Sequence, residues 1–304
     1  MHTMRVVLIG RDGQVGSDCV QVFRHGHELL ALDLEDVDIT EAQQVEAMVQ
    51  QHRPDVVINC AAFAKVDACE QQRELAYNVN VAGVRHLAAS LARHGGLLLH
   101  ISTDYVFDGK KPVPEPYLED DPVGPLSYYA QTKVAAEEAI QQEMADYIIV
   151  RSAWIYGRRG QNFLKTMLRL ALTQPTPTIK VVNDQFGSPT WSYRLAQQLA
   201  VILAARGRGI YHATAEGFAS WFEVARYFLR AMGLHTEIIP CTSLEYPTPA
   251  RRPHNSILEN HRLKAQGLNL MRPWQDDLDE FVSQYREDLL QEVRQSQANG
   301  VRGL

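Results

Sequence analysis

The sequence predicts an α/β fold: a doubly wound parallel sheet with a smaller C-terminal α/β lobe. Three observations carry that prediction. Apolar runs alternate with helical patterns through the first half of the 304-residue chain. Those runs are continuous, as in "MRVVLIG" (4–10), "DVVINC" (55–60) and "GLLLHIS" (96–102), with no polar residue at every second place. Continuous apolar strands belong to sheets covered on both faces, and strand–helix alternation belongs to parallel sheets. The first run also ends directly in a glycine-rich turn, "GRDGQVG" (10–16).

The elements follow in order. "MRVVLIG" reads as the first strand, and "QVGSDCVQVFRHG" (14–26) as a helix closing on glycine. "ELLALD" (28–33) is the second strand, and "TEAQQVEAMVQQH" (40–52) a helix with Thr40 as its N-cap. "DVVINC" is the third strand, and residues 70–94 keep helical spacing. "GLLLHIS" and "YIIVRS" (147–152) are the next strands, with the helix opened by "LSYYAQTKVAAEE" (126–138) between them. After residue 153 the pattern is mixed. "NFLKTMLRLAL" and "SYRLAQQLAVILAA" read as helices, and "TIKVV", "GIYHA" and "TEIIP" as short strands. Residues 241–255 form a polar, proline-rich loop. A last helix begins near Trp274, with Leu278, Phe281, Tyr285 and Leu289 along one face. The implied organisation is a Rossmann-type domain over 1–155, with 190–230 returning to it. Residues 156–189 and 231–293 would form the smaller lobe, and 294–304 a frayed polar tail.

Composition narrows the function. The chain is 45% hydrophobic and 22% charged, with a net charge of −6, which argues against a nucleic-acid surface. Cys19, Cys60, Cys69 and Cys241 form no CxxC pair and read as reduced thiols. No apolar run approaches the ~20 residues that span a bilayer, and no signal-peptide pattern stands at the start. The expected location is the cytoplasm, with no membrane partner.

Gly10, Gly13 and Gly16 are spaced GxxGxxG between a strand and a helix. Glycine lets the backbone turn tightly and approach a phosphate, and the helix N-terminus offers amide donors to a pyrophosphate. Residues Gly10, Arg11, Asp12, Gly13, Gln14, Val15 and Gly16 are therefore the expected dinucleotide loop. Asp33, at the end of the second strand, is placed to accept from the adenosine ribose and to repel a 2′-phosphate. Arg11 would offset that repulsion, so NADH is favoured only slightly and NADPH stays open.

Tyr129 and Lys133 stand four apart and share a helical face, while Tyr128 points away. An adjacent ammonium would bring a phenol down towards working pH and let it exchange a proton with a substrate oxygen. The strand ending in "HISTDYVFDG" sets Ser102, Thr103 and Asp104 at the carboxyl edge of the sheet, where ligands sit in such folds.

Together these elements resemble the extended short-chain dehydrogenase/reductases, and within them the dTDP-4-dehydrorhamnose reductase family. The phrases that carry the resemblance recur in order over nearly the whole chain: "GRDGQVG", "PDVVINCAAFAKVDACE" (54–70), "YNVNVAG" (77–83), "STDYVFDG" (102–109), "YAQTKVAAEE" (129–138), "RSAWIYGRRGQNFLKTMLRLA" (151–171), "VVNDQFGSPT" (181–190), "GIYHA" (209–213) and "YPTPARRPHNSIL" (246–258). The resemblance implies reduction of a 4-keto sugar nucleotide by NADH or NADPH. It implies Tyr129 as catalytic acid, Lys133 as its partner and Thr103 as the hydroxyl assisting at the substrate oxygen. It places Asp104 and Trp154 near the sugar, and Ala61 and Ala62 along the cofactor. Arg252 and Asn255 are candidates for the nucleotide diphosphate. Asn80 reads equally as structural or as part of a proton relay.

Alanine stands at 130 and 136 where the family pattern has glycine, and Cys60 where a small residue is usual. These changes imply altered packing. No metal site can be placed, so none is expected; a homodimer is compatible with the family. Two other readings remain at this level: a sugar-nucleotide 4-epimerase, and a non-catalytic regulatory subunit of the methionine adenosyltransferase type.

Overall fold

A computed structural model describes residues 3–173 and 178–301. Its elements are β1 (Arg5–Ile9), α1 (Gln14–Phe23), β2 (Glu28–Leu32), α2 (Ala42–His52), β3 (Val56–Asn59), α3 (Val66–Gln71), α4 (Arg73–Tyr77), α5 (Gly83–His94), β4 (Leu97–Thr103), α6 (Tyr128–Glu143), β5 (Tyr147–Ser152), β6 (Ile155–Tyr156), α7 (Phe163–Thr173), β7 (Thr178–Val182), β8 (Phe186–Gly187), β9 (Thr190–Trp191), α8 (Ser192–Ala204), β10 (Gly209–His212), β11 (Ala219–Ser220), α9 (Trp221–Ala231), β12 (Glu237–Cys241), α10 (His261–Ala265) and α11 (Trp274–Val301).

Six parallel strands form the main sheet in the order β10-β5-β4-β3-β1-β2. Strand order reverses beside β1, which puts the ligand crevice at the carboxyl ends of β1 and β3. Successive strand residues point to opposite faces, and both faces are dry. Val6, Leu8, Ile58 and Leu99 pack with Cys19 and Phe23 of α1 and Leu195, Leu199 and Ile202 of α8. Val7, Ile9, Val57 and Leu98 pack with Val45 and Val49 of α2, Leu87 and Leu91 of α5 and Ile140 of α6. This two-sided burial is why the strands carry no polar alternation.

A second core lies beyond the sheet. Leu164 and Leu168 of α7, Phe228 and Leu229 of α9, and Leu278 and Phe281 of α11 close around Ile179 and Val181 of β7, which pairs in parallel with β12. Within 190–230, α8 and β10 join the large sheet, whereas α9 belongs to this second core.

Several elements depart from the sequence reading. Thr40 does not cap α2: its hydroxyl donates to Asp38 (2.8 Å) in a local turn, and α2 starts later, after Glu41. Residues 70–94 are not one regular helix. A π-turn at Asn78–Ala82 separates α4 from α5 and turns Asn80 into the interior. Helix α9 has no counterpart in the sequence reading, although Ser220 and Glu223 form a reciprocal capping box at its start. α11 continues helically through 294–301, past the point where fraying was expected; residues 302–304 lie outside the described residues. Among the described residues no helix is long and apolar enough to cross a membrane.

Candidate active site

The glycine turn closes over the crevice. Gly10 has φ +87°, and a Cβ there would lie 2.8 Å from the Ala61 amide nitrogen. A Cβ on Gly16 would lie 1.8 Å from the Gly10 carbonyl oxygen. Neither position can carry a side chain without moving backbone. Gly13 caps α1 with no side chain, and the first turn, Gln14, Val15 and Gly16, holds no acidic residue. That leaves amide donors and the positive helix end directed at the crevice, a fit for a pyrophosphate. Gly10, Gly13, Asp33, Ala61 and Ala62 line an adjoining cavity of about 390 Å³.

Asp33 braces the turn as well as facing the cavity. Its carboxylate accepts from the Asp12 amide (2.8 Å) and the Leu34 amide (2.8 Å). Arg11 is not disposed to receive a 2′-phosphate. Its guanidinium donates to Glu35 (2.6 Å), to Asp36 and to the Ala31 carbonyl (3.1 Å), because the end of β2 is ringed with carboxylates. Asp12 is exposed beside Arg11 (3.6 Å), and Gln14 accepts from Asn162 (3.0 Å) of the segment that follows β6.

Thr103 and Tyr129 meet at the carboxyl edge of β4, and Lys133 stands one turn along α6 from Tyr129. Ser127 caps α6 through the Ala130 amide (3.3 Å), which fixes Tyr129 in the first turn. The Tyr129 phenol is close enough to Thr103 for that hydroxyl to favour the phenolate, and its ring meets Tyr105 edge-on at 6.3 Å. Thr103 also accepts from the Tyr105 amide (3.2 Å) and donates to Asp104 (3.0 Å). Tyr128 is turned away, under the Arg73 guanidinium 4.8 Å from its ring centre.

Lys133 departs from expectation. Its Nζ donates to the Ile101 carbonyl (2.7 Å) and lies 2.9 Å from His100 Nε2, inside the sheet–helix interface. Burial pushes it down to about 8, against the opposing charge of Glu137. The Tyr129 phenol is held above the usual phenol range by burial and then by the Asp104 charge, with Thr103 opposing. No ammonium therefore brings this phenol towards neutrality. Withdrawal from water outweighs the neighbour, and Tyr129 is a phenol rather than a phenolate.

A larger cavity, about 850 Å³, opens between this edge and the second core. Tyr105, Phe163, Gln185, Trp221, Tyr246 and Arg252 are among its lining residues. Trp154 is not: it stacks flat behind Trp221, centroids 3.5 Å apart and planes 5° apart, with φ +46°. Trp221 thus presents the aromatic face expected of Trp154, and no spacing in the sequence marks it. Arg252 does face the cavity, held through Nη2 and Nη1 by Asp67 (2.7 and 3.2 Å). Asn255 does not. It is fully buried, donating to the Glu115 (2.8 Å) and Lys111 (3.2 Å) carbonyls and accepting from the Ile257 amide (2.9 Å). Asp104 is buried with its Oδ2 unpartnered, and burial pushes it up to about 7 although Thr103 donates to its Oδ1 (3.0 Å). Asn80 accepts from the Phe63 amide (2.8 Å) and donates to Thr132 (3.0 Å), tying the loop after β3 to α6.

The chain is similar over most of its length to known proteins. The family model described as the RmlD substrate binding domain matches residues 4–287. A dTDP-4-dehydrorhamnose reductase of Streptomyces griseus is 41% identical over 91% of this chain and 92% of its own. A dTDP-4-keto-6-deoxy-D-glucose reductase of Streptomyces niveus is 37% identical over 90% of this chain and 94% of its own. The crystal structure of dTDP-4-dehydrorhamnose reductase from Bacillus anthracis, in complex with NADP, superposes with a TM-score of 0.89 at 34% identity, covering 93% of this chain and all of that one. The chain belongs to the dTDP-4-dehydrorhamnose reductase family and is an NAD(P)H-dependent oxidoreductase.

Proposed function

We propose that this protein reduces the 4-keto group of dTDP-4-dehydro-L-rhamnose to give dTDP-L-rhamnose, in the cytoplasm, for cell-surface polysaccharide. The observation that carries the reading is the meeting of Thr103 and Tyr129 at the carboxyl edge of the sheet, where the dinucleotide cradle opens towards the 850 Å³ cavity. A bound reduced nicotinamide supplies the hydride to the carbonyl carbon. Tyr129, protonated at neutral pH, gives its proton to the carbonyl oxygen as charge develops there. Thr103, whose one hydroxyl proton is given to Asp104 here (3.0 Å), assists at the same oxygen by turning that proton to the substrate. Trp221 offers an apolar face to the sugar, and Arg252 offers the diphosphate a cation whose second partner is Asp67.

The experiment is oxidation of NADH and NADPH with dTDP-4-dehydro-L-rhamnose, with Tyr129→Phe as control. Tyr129→Phe should lower kcat by about 10²–10⁴ while cofactor binding is retained. Wild-type turnover in that variant would refute the assigned role. The Streptomyces niveus relative favours a second reading within the same chemistry, reduction of a 4-keto-6-deoxy-D-glucose nucleotide. Comparing kcat/KM on the two keto sugars separates them.

A further inference from the structure

Behind Lys133 lies a buried chain that the reduction step does not use directly. Asn59 at the end of β3 and His100 on β4 are 0% and 1% exposed, and Lys133 on α6 is 2% exposed. Asn59 Oδ1 accepts from the Ala61 amide (3.1 Å), a donor that cannot reverse. The amide orientation is therefore set, and Asn59 Nδ2 points at His100 Nδ1, 3.1 Å away. His100 Nδ1 must then be an acceptor. A neutral imidazole carries one N–H, so the proton sits on Nε2, directed at Lys133 Nζ 2.9 Å away. An ammonium has no lone pair to receive it, whereas a neutral amine does, and still has an N–H for the Ile101 carbonyl.

We propose that His100, oriented by Asn59, is a positioning residue that donates to Lys133 and so favours its neutral amine over the ammonium. The inference rests on the reading of Lys133 as part of the reductase site, but its geometry does not. The chain also couples two parts of that site. If Lys133 charges, His100 has to accept at Nε2 and move its proton to Nδ1. Asn59 then has to rotate its amide and give up the Ala61 amide, on the loop that lines the cofactor cavity. Charging of Lys133 and the seating of that loop are thus linked through two hydrogen bonds.

The other groups facing the pair are few among the described residues. Cys60 follows β3 and Glu137 lies one turn along α6, and both favour a charged Lys133. Glu137 is itself committed to Arg151 of β5 at 2.7 Å. Tyr129 stands one turn back on α6. Burial pushes His100 well below the usual imidazole range, with Lys133 adding to it, so an imidazolium is not an alternative at neutral pH.

The deciding experiment is long-range ¹H–¹⁵N correlation on wild-type protein labelled at histidine, with His100 assigned by its absence in His100→Phe. The Nε2–H tautomer is expected at about pH 10, where Lys133, pushed down to about 8, is a neutral amine. An Nδ1–H tautomer would overturn the proposal. In protein labelled at lysine, the Lys133 ¹⁵Nζ titration should move up by about one pH unit in His100→Phe, the order expected for losing one opposing donor. A downward shift would mean that His100 had been accepting from an ammonium, and would also overturn it. Neither readout needs a sugar substrate, so failure of the proposed reductase activity and failure of this inference are told apart. Should His100→Phe not fold, the wild-type tautomer still decides, with His100 assigned through Asn59→Asp.

Discussion

The buried ion pair beneath the site offers the sharpest test of how the fold holds its catalytic edge. Glu137 of α6 and Arg151 of β5 have side chains only 3% and 4% exposed. Arg151 donates from Nη2 (2.7 Å) and Nε (3.0 Å) to the carboxylate, Ser102 donates to it too, and Arg151 Nη1 reaches the Glu119 carbonyl (3.1 Å). The pair therefore ties α6, which carries Tyr129 and Lys133, to β4 and β5. Glu137→Gln keeps the shape but leaves a buried guanidinium without its counter-charge. Breaking one side of such a pair costs about 3–5 kcal/mol. At roughly 2–4 °C per kcal/mol for a chain of this size class, Tm should fall by about 6–20 °C. Thermal unfolding followed by circular dichroism and by tryptophan fluorescence reads the loss. Glu137→Leu with Arg151→Met removes both charges together and should recover most of it, since no buried charge is left unpaired and only the Ser102 hydroxyl and the Glu119 carbonyl lose a neutral hydrogen bond. A loss under about 1 kcal/mol in the single variant, or an equal loss in the double variant, would refute the claim that charge compensation holds this junction.

Three further outcomes follow from the site. Asp104 titrates higher in the folded protein (about 7) than in the unfolded chain (3.8). Between about pH 4 and 7 the folded state keeps a proton that the unfolded chain has lost, so this group makes stability fall as pH rises. Asp104→Asn should be more stable than wild type at pH 8 and lose that advantage below pH 4; pH-independent behaviour in a Tm series would count against it. Gly16→Ala puts a Cβ 1.8 Å from the Gly10 carbonyl, so α1 must shift away from the turn. NADH and NADPH should then bind at least about tenfold more weakly by fluorescence titration, the order of one lost charge-assisted contact. Trp221→Ala removes the ring that faces the sugar cavity and bares Trp154 behind it. KM for the keto sugar should rise by about two- to tenfold, the scale of one aromatic contact, with kcat less affected.

What the sequence made legible is what is local. The strands of the main sheet, the glycine turn and the capped start of α6 are each specified by neighbours within a few residues. Each therefore appears where a period or a dipeptide puts it. The placement of Asn255 and Trp154 is not legible in the sequence, for a different reason. Both sit in the right segments, but only the packing of the second core decides that Trp221 covers Trp154 and that Asn255 turns inward to the Lys111–Glu115 loop. Helix α9, which supplies Trp221, had a readable start in Ser220 and Glu223.

Lys133 is the most instructive case, because the rule applied to it was correct and insufficient. Spacing of four residues puts Lys133 and Tyr129 on one face of α6, and the structure has them there. It does not decide where a four-carbon stem ends. Lys133 finds a carbonyl and an imidazole inside the sheet, and neither Ile101 nor His100 is within thirty residues of it in sequence. The helix periodicity thus identifies the pair, while its protonation is set by two residues of β4. The acidity of Tyr129 is set by its burial and then by the Asp104 charge, and the spacing of four does not reach either.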